Sequence, residues 1–408
     1  MTSRLTFTGS IGSLALSSAL SLLPMGPALG DAASPAERSG ATDVKALIGQ
    51  LGDAKFAVRK SAGEKLAKIG LPAYQALEDA TRDGDREIRY RAEKVLSVIR
   101  QNDLNRRLTI FLASLDSPED RTLPSWPRFK AAHGNTPVTR GLFVEMQRAE
   151  GELLAQLDAD PRQATDHLGK RAMALAEEQN RLNREGASLP LGQIAAVLFV
   201  AGEPDVKPSS NSVALLLQLG RVPALLAAAV PSGAIDKRAE ETSAMARRLL
   251  GAVIARAEGS AAQQAMNIAV QYDLKQGLAP ALKVLEAPGR VRFTLQYAML
   301  LVAKFGDKSH LAVLEKLFTD NTLLATTSSR GVRRESQVRD SALAAAVLMS
   351  RQELKDYFSL PENLAGQPAA GMLSSAYLTV GFENDEQRTA AFRKWDAFQA
   401  KKTAEQKR

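Results

Sequence analysis

The residues able to do chemistry are few and scattered. Three histidines, His133, His167 and His310, stand far apart, and none shares an H-E-x-x-H spacing with a glutamate, so no metal-ligand set is expected. His133 precedes Gly134 at an expected helix end, where a cation meets the favourable end of the helix dipole. The run "FGDKS" at residues 305–309 has the lysine and serine of a phosphate loop, but Asp307 replaces the glycine before Lys308 and no glycine opens the motif. Adjacent carboxylates such as Glu177 with Glu178, or Glu240 with Glu241, diverge by ~100° around a helix and cannot converge on one atom. No G-x-S-x-G offers a serine nucleophile, and the chain has no cysteine, which removes thiol chemistry, disulfides and acylation of a cysteine. The expectation is a chain that is not an enzyme and holds neither cofactor nor metal.

What does recur is a pattern of structure. "DAKFAVRKSA" at 53–62 and "DGDREIRYRA" at 83–92 share a skeleton without a gap: Asp53 matches Asp83, Val58 Ile88, Arg59 Arg89, Ala62 Ala92, Leu66 Leu96 and Ile69 Ile99. In the second copy Ile88, Ala92, Val95, Leu96 and Ile99 fall at helical spacing and give one apolar stripe. Val44, Leu47, Ile48 and Leu51 make a similar stripe after Thr42, read as a helix cap, and "GLP" at 70–72 ends one helix and starts the next. Four short helices are therefore expected over residues 42–100. Helical pairs returning at a fixed period bury their apolar faces only by stacking on their neighbours. Arg59 and Arg89 are read as structural, the repeated Asp and Arg tying successive units together.

The Asp, Val or Ile, Arg and Ala pattern resembles the HEAT-repeat family in its short form. "QVRDSALAAA" from Gln337 keeps Val338, Arg339 and Ala342 in the same order, and "QGLAPALKVLEA" from Gln276 echoes "IGLPAYQALEDA" from Ile69. The block "LPSWPRFKAAHGNTPVTRGLFVEMQRAEGELL" and the ending "GFENDEQRTAAFRKW" are similar to segments of exported bacterial HEAT-repeat proteins. The resemblance implies an interaction scaffold without a family catalytic site. The fold expected is all-α, an α-solenoid of stacked antiparallel helical hairpins with an irregular helical middle region.

Composition agrees with helices: 45% of residues are hydrophobic but only 5% aromatic, with Ala and Leu prominent. Residues 1–30 read as a signal peptide, with Arg4 before an apolar run, Pro24 and Pro27 breaking it, and Ala28 and Gly30 as a small-residue cleavage pattern. Export to the periplasm or cell exterior is therefore expected, and no later run approaches ~18 apolar residues, so no transmembrane segment is expected after cleavage. A linker is expected at 31–41, repeats at 42–101, an irregular helical region at 102–201, a Pro- and Ser-rich linker at 202–212, degenerate helical repeats at 213–358, and a loop with a terminal capping helix at 359–408. Within these, Thr136 and Asp160, each before a proline, read as helix caps.

The formal charge of +8 is spread among acids, as solvated helix faces are, with "RGVRRESQVRD" at 330–340 the densest cationic run and a basic tail from Lys401. The candidate partner surface lies opposite the apolar stripes. There Arg86, Tyr90 and Lys94 form one row and Phe56, Lys60 and Glu64 the equivalent row, which places Phe56 beside Arg86 and Lys60 beside Tyr90. The expected partner is another protein of the periplasm or envelope, and no intracellular nucleic acid. The alternatives are a binder of an anionic envelope polymer and an enzyme of a helical type without a recognisable motif.

Overall fold

Both copies of the thirty-residue skeleton fold alike, and local chemistry explains why the pattern returns. Asp53 Oδ1 accepts from Lys55 N at 2.7 Å and Asp83 Oδ1 accepts from Asp85 N at 2.8 Å, so each aspartate closes the turn before a helix. Arg59 Nη1 donates back to the Asp53 and Ala54 carbonyls at 2.7 and 2.9 Å, and Arg89 Nη1 to the Asp83 and Gly84 carbonyls at 2.6 and 3.0 Å. Each arginine thus satisfies carbonyls that the turn leaves without partners.

The computed structural model describes residues 35–229, 236–287, 292–329, 331–360 and 380–406. The expected signal peptide at 1–30 and most of the expected loop after residue 359 lie outside the described residues. Two compact units divide between Asn105 and Arg106.

In the first unit, α1 (Pro35–Gln50), α2 (Phe56–Ile69), a 3-10 turn (Leu71–Ala73) and α3 (Tyr74–Ala80) lead into α4 (Arg86–Ala113). Four helices were expected, but α1 runs through Thr42 rather than being capped by it and takes in part of the expected linker, and α4 is 28 residues long rather than short. Gly70 ends α2 with φ 74°, a conformation that needs glycine, as "GLP" suggests. Ala62, Leu66, Leu77, Ala92, Leu96 and Ile99 are buried in one core with Val44 and Leu51. One equivalence fails at the surface: Ile99 is 2% exposed and Ile69 36%. Ile69 is the last residue of α2, with no further turn to cover it, whereas α4 continues past Ile99.

The second unit is also helical. It comprises α5 (Trp126–His133), α6 (Pro137–Ala159), α7 (Pro161–Arg184), α8 (Leu191–Gly202), α9 (Ser210–Leu219), α10 (Pro223–Ala229), α11 (Lys237–Ile254), α12 (Ser260–Tyr272), α13 (Leu278–Glu286), α14 (Arg292–Phe305), α15 (Leu311–Glu315), α16 (Val338–Met349) and α17 (Asp385–Gln406). Thr136 caps α6 by accepting from Thr139 N, and Asp160 caps α7 by accepting from Arg162 N, each ahead of its proline. Buried residues of α7, namely Ala164, Leu168, Ala172 and Leu175, make one stripe, while α8 is buried on every side from Ile194 to Ala201. It packs on α6 and α11, and a second series of contacts joins α7 to α9, α9 to α12, α12 to α14 and α14 to α16. In α17, Trp395 and Ala391 are buried, and Phe392 meets Phe318 with ring centroids 5.2 Å apart.

One element departs from the all-helical expectation. Strand β1 (Leu323–Ser329) pairs antiparallel with β2 (Val332–Gln337), and Glu335 also bridges to Phe382. Arg333 and Arg334 of the cationic run therefore lie in a strand, Arg330 is outside the described residues, and the helix of the Gln337 copy begins at Val338 and takes in Arg339. Thr326, Thr327 and Val332 favour extended backbone, and Gly331 at φ 81° supplies the left-handed turn position. Among the described residues no single helix is long and apolar enough to cross a membrane.

Candidate partner-binding site

The five candidate residues fall on α2 and α4. Contacts advance in the same sense along both helices: Arg59 Nε lies 3.1 Å from Glu87 Oε1, and four residues on a Cβ at Gly63 would sit 3.5 Å from Val95 Cγ2. The two helices therefore run parallel. Between them lies a groove of about 270 Å³, with buried Leu51 and Val95 in its floor, Val98 and Ala67 along it, and Lys60 and Lys94 on its rim.

Phe56 opens α2 and is 62% exposed, and Tyr90, on α4, is 51% exposed. The crossed pairs expected from the sequence do not form. The Phe56 ring instead has the guanidinium carbons of Arg59 and Arg91 each 5.9 Å from its centroid, and the Tyr90 ring has Lys94 Nζ at 4.5 Å. The helix register is the cause. Arg91, one position on from Tyr90, faces α2 and is held by Glu87, whose Oε1 accepts from Arg91 Nε at 2.6 Å. Tyr90 is turned ~100° away and meets the residue one turn further along its own helix. Lys60 lies on the rim with Glu64, 3.8 Å away, and both side chains are mostly in water. Arg86 opens α4, is exposed, and is not part of the groove lining.

Of the residues named from the sequence, Lys60 and Lys94 line the groove, Phe56 and Tyr90 are exposed on the same helices outside its lining, and Arg91 and Val98, which line it, were not named. Arg91 carried a signal in its spacing of four from Glu87; Val98 carried none, because an apolar residue opposite the stripe reads as noise. The arrangement offers apolar contact along the groove and cation–π or charge-assisted contact at its rim, with no nucleophile and base brought together.

The second unit holds a different kind of cleft. At Glu150 the backbone leaves helical values (φ −138°, ψ 35°) and bends α6. The buried Glu150 carboxylate accepts from Arg171 Nε at 2.8 and 2.9 Å and from Gln193 Nε2 at 3.3 Å, pinning α7 and α8 to the bend. His167 and Lys170 line the adjoining space of about 450 Å³ with Glu152. Elsewhere Arg140, 1% exposed, makes a bidentate contact to Asp120 at 2.6 and 2.7 Å and donates to the Phe111 and Leu115 carbonyls, its guanidinium stacked 4.1 Å above the Phe111 ring. Arg140 Nε, Nη1 and Nη2 and Arg171 Nε are all engaged, so both arginines act as internal fasteners.

His133 ends α5 as expected, yet it is not the favourable cation that the dipole alone suggests. Burial against Phe129, 4.5 Å away between ring centroids, and secondly the charge of Arg248 push its pKa down to about 4. In "FGDKS" Asp307 caps a 3-10 turn over Lys308–His310, its carboxylate accepting from Ser309 N and its own N–H donating to His310 Nδ1. Among the described residues no group of three or more His, Asp or Glu is arranged to hold a metal ion. No family model matches the chain, and no curated protein matches it.

Proposed function

We propose that the chain is an exported α-solenoid of HEAT-like hairpins that binds another protein of the periplasm or envelope through the α2–α4 face and performs no catalysis. The observation that carries the reading is the apolar groove between α2 and α4, rimmed by Lys60 and Lys94, together with two exposed aromatic rings outside its lining on the same two helices, Phe56 and Tyr90, each with a cation beside it. Exposed aromatic and cationic side chains over an apolar floor are the composition of binding hot spots. Stacked hairpins are supported by the parallel course of α2 and α4 and by the two series of contacts in the second unit, α6 with α8 and α11, and α7 through α9, α12 and α14 to α16. In a solenoid, equivalent helices of successive hairpins neighbour each other in this way. Export rests on the sequence of residues 1–30.

The test is retention of envelope proteins on the immobilised chain, compared with a Phe56→Ala, Tyr90→Ala, Lys94→Ala variant. Loss of a defined protein from the variant, at an unchanged melting temperature, supports the reading. Equal retention by both removes this face. Binding to an anionic envelope polymer is the second reading, favoured by the unbalanced cations of the chain, and it requires retention that falls steeply with salt whatever protein is present.

A further inference from the structure

A further cleft lies where four elements of the second unit meet. A cleft of about 740 Å³ is lined by Lys304 near the end of α14, Lys308 and Leu311 in the next turn and α15, Arg351 just past α16, and Phe398 and Lys402 on α17. Its charges do not balance. Lys304 Nζ is 2.7 Å from Asp273 Oδ1 and is neutralised. Asp307, the acid of the lining, accepts from Ser309 N at 2.9 Å and from Ser309 Oγ, and its single charge is outnumbered by those of Lys308, Arg351 and Lys402. Among the described residues no carboxylate lies within ion-pair distance of Lys308, Arg351 or Lys402.

The backbone gives an independent sign. Arg351 has φ 56°, the left-handed position that follows a helix end, where its N–H donates to the Leu348 carbonyl at 3.0 Å. Glycine or asparagine takes this position without strain, and an arginine does not. The strain is retained at the residue that brings a third uncompensated cation to the cleft, and strained backbone of this kind concentrates at ligand sites.

We propose that this cleft binds a compact polyanion, a small molecule with two or more phosphate or carboxylate charges, held by Lys308, Arg351 and Lys402 with Leu311 and Phe398 against its body. The competing account is that the cations only offset the carbonyl ends of α14 and α16, which finish at the cleft. The two accounts part at Arg351→Gly, which relieves the strain while removing the charge.

Isothermal titration of the full chain at low salt, with inorganic pyrophosphate in one arm and citrate in the other, tests the site. Saturable one-to-one binding of either anion is expected, pyrophosphate alone indicating phosphate and citrate alone carboxylate as the chemistry recognised. A Lys308→Gln, Lys402→Gln variant should bind at least about tenfold more weakly, the loss expected for one charge-assisted hydrogen bond or more. Arg351→Gly should also bind about tenfold more weakly while melting no lower than the parent chain. The proposal is overturned if neither anion gives saturable heat, if both variants bind as the parent does, or if the variants lower the melting temperature without altering anion binding.

Discussion

His133 converts a packing feature into a measurable pH dependence. In the unfolded chain its imidazole titrates near ~6.5. In the folded chain burial, and to a lesser degree Arg248, depress that value to about 4, and Nδ1 has no hydrogen-bond partner. The unfolded state therefore binds the proton more tightly between these two values. The neutral ring's contribution to stability is intact above pH ~6.5 and is lost progressively as pH falls toward 4. A difference of 6.5 minus 4, or 2.5 pH units at ~1.36 kcal/mol each, sets a ceiling of ~3.4 kcal/mol. The ring is only half-buried, so solvent screening reduces the expected effect to ~1–2 kcal/mol. His133→Phe keeps the contacts with Phe129 and Phe199 and removes the titrating group. Urea unfolding of parent and variant at pH 7.5 and pH 4.5 separates this group from all others, because the carboxylates common to both chains cancel in the difference. The parent should lose ~1–2 kcal/mol more than the variant on going to the lower pH. Parallel losses in the two chains would refute the reasoning.

Three further outcomes follow from buried contacts. Arg140→Met should cost ~3 kcal/mol in urea unfolding, because it leaves Asp120 with Lys130, at 3.5 Å, as its ion-pair partner and removes the Arg140 donor from the Phe111 carbonyl, while the Leu115 carbonyl keeps Asn135 Nδ2 at 2.7 Å. Arg388→Met should cost ~3–5 kcal/mol, because Asp340, fully buried, loses its donor from α17 at 2.9 Å, and adding Asp340→Asn should recover part of that loss. Leu66→Ala should cost ~2–5 kcal/mol by opening a cavity in the first unit, whereas Phe56→Ser, at an exposed position of the same helix, should stay within ~0.5 kcal/mol by thermal unfolding.

Local structure was legible wherever neighbouring residues decide it. Proline after Thr136 and after Asp160 marked the starts of α6 and α7, and the turn chemistry of Asp53 and Asp83 repeated because each closes its turn with residues two and six positions away. The pairing of β1 with β2 was readable in principle from Thr326, Thr327 and Gly331, but the helical copy expected from Gln337 drew the whole segment into the repeat. The bend at Glu150 was not readable, since its partners Arg171 and Gln193 lie 21 and 43 residues along the chain. His133 was placed correctly at a helix end but with the wrong charge, because the aromatic cluster that buries it includes Phe199 from α8.

The candidate surface shows the same division within a single site. Equivalence by thirty residues places side chains on corresponding faces, and it correctly set Phe56, Lys60, Tyr90 and Lys94 on the outside of the first unit. Which of them touch depends on how far α4 slides along α2, and no local pattern encodes that slide. Arg59 against Glu87 and Gly63 beside Val95 mark it, and a Cβ at Gly63 would just meet Val95 Cγ2, at 3.5 Å, leaving side-chain atoms beyond it to find space in the groove. With that register Arg91, rather than Arg86, reaches Phe56. Alanine at Gly63 is accommodated, whereas a branched side chain there would fill the groove beside Arg91 and disturb the pairing of aromatic and cation before it disturbed the core. On the proposed binding role, Gly63→Leu should weaken partner retention even though every residue of the aromatic–cation pairs is intact. Unchanged retention in a folded Gly63→Leu chain would show that the register of α2 on α4 does not organise this surface.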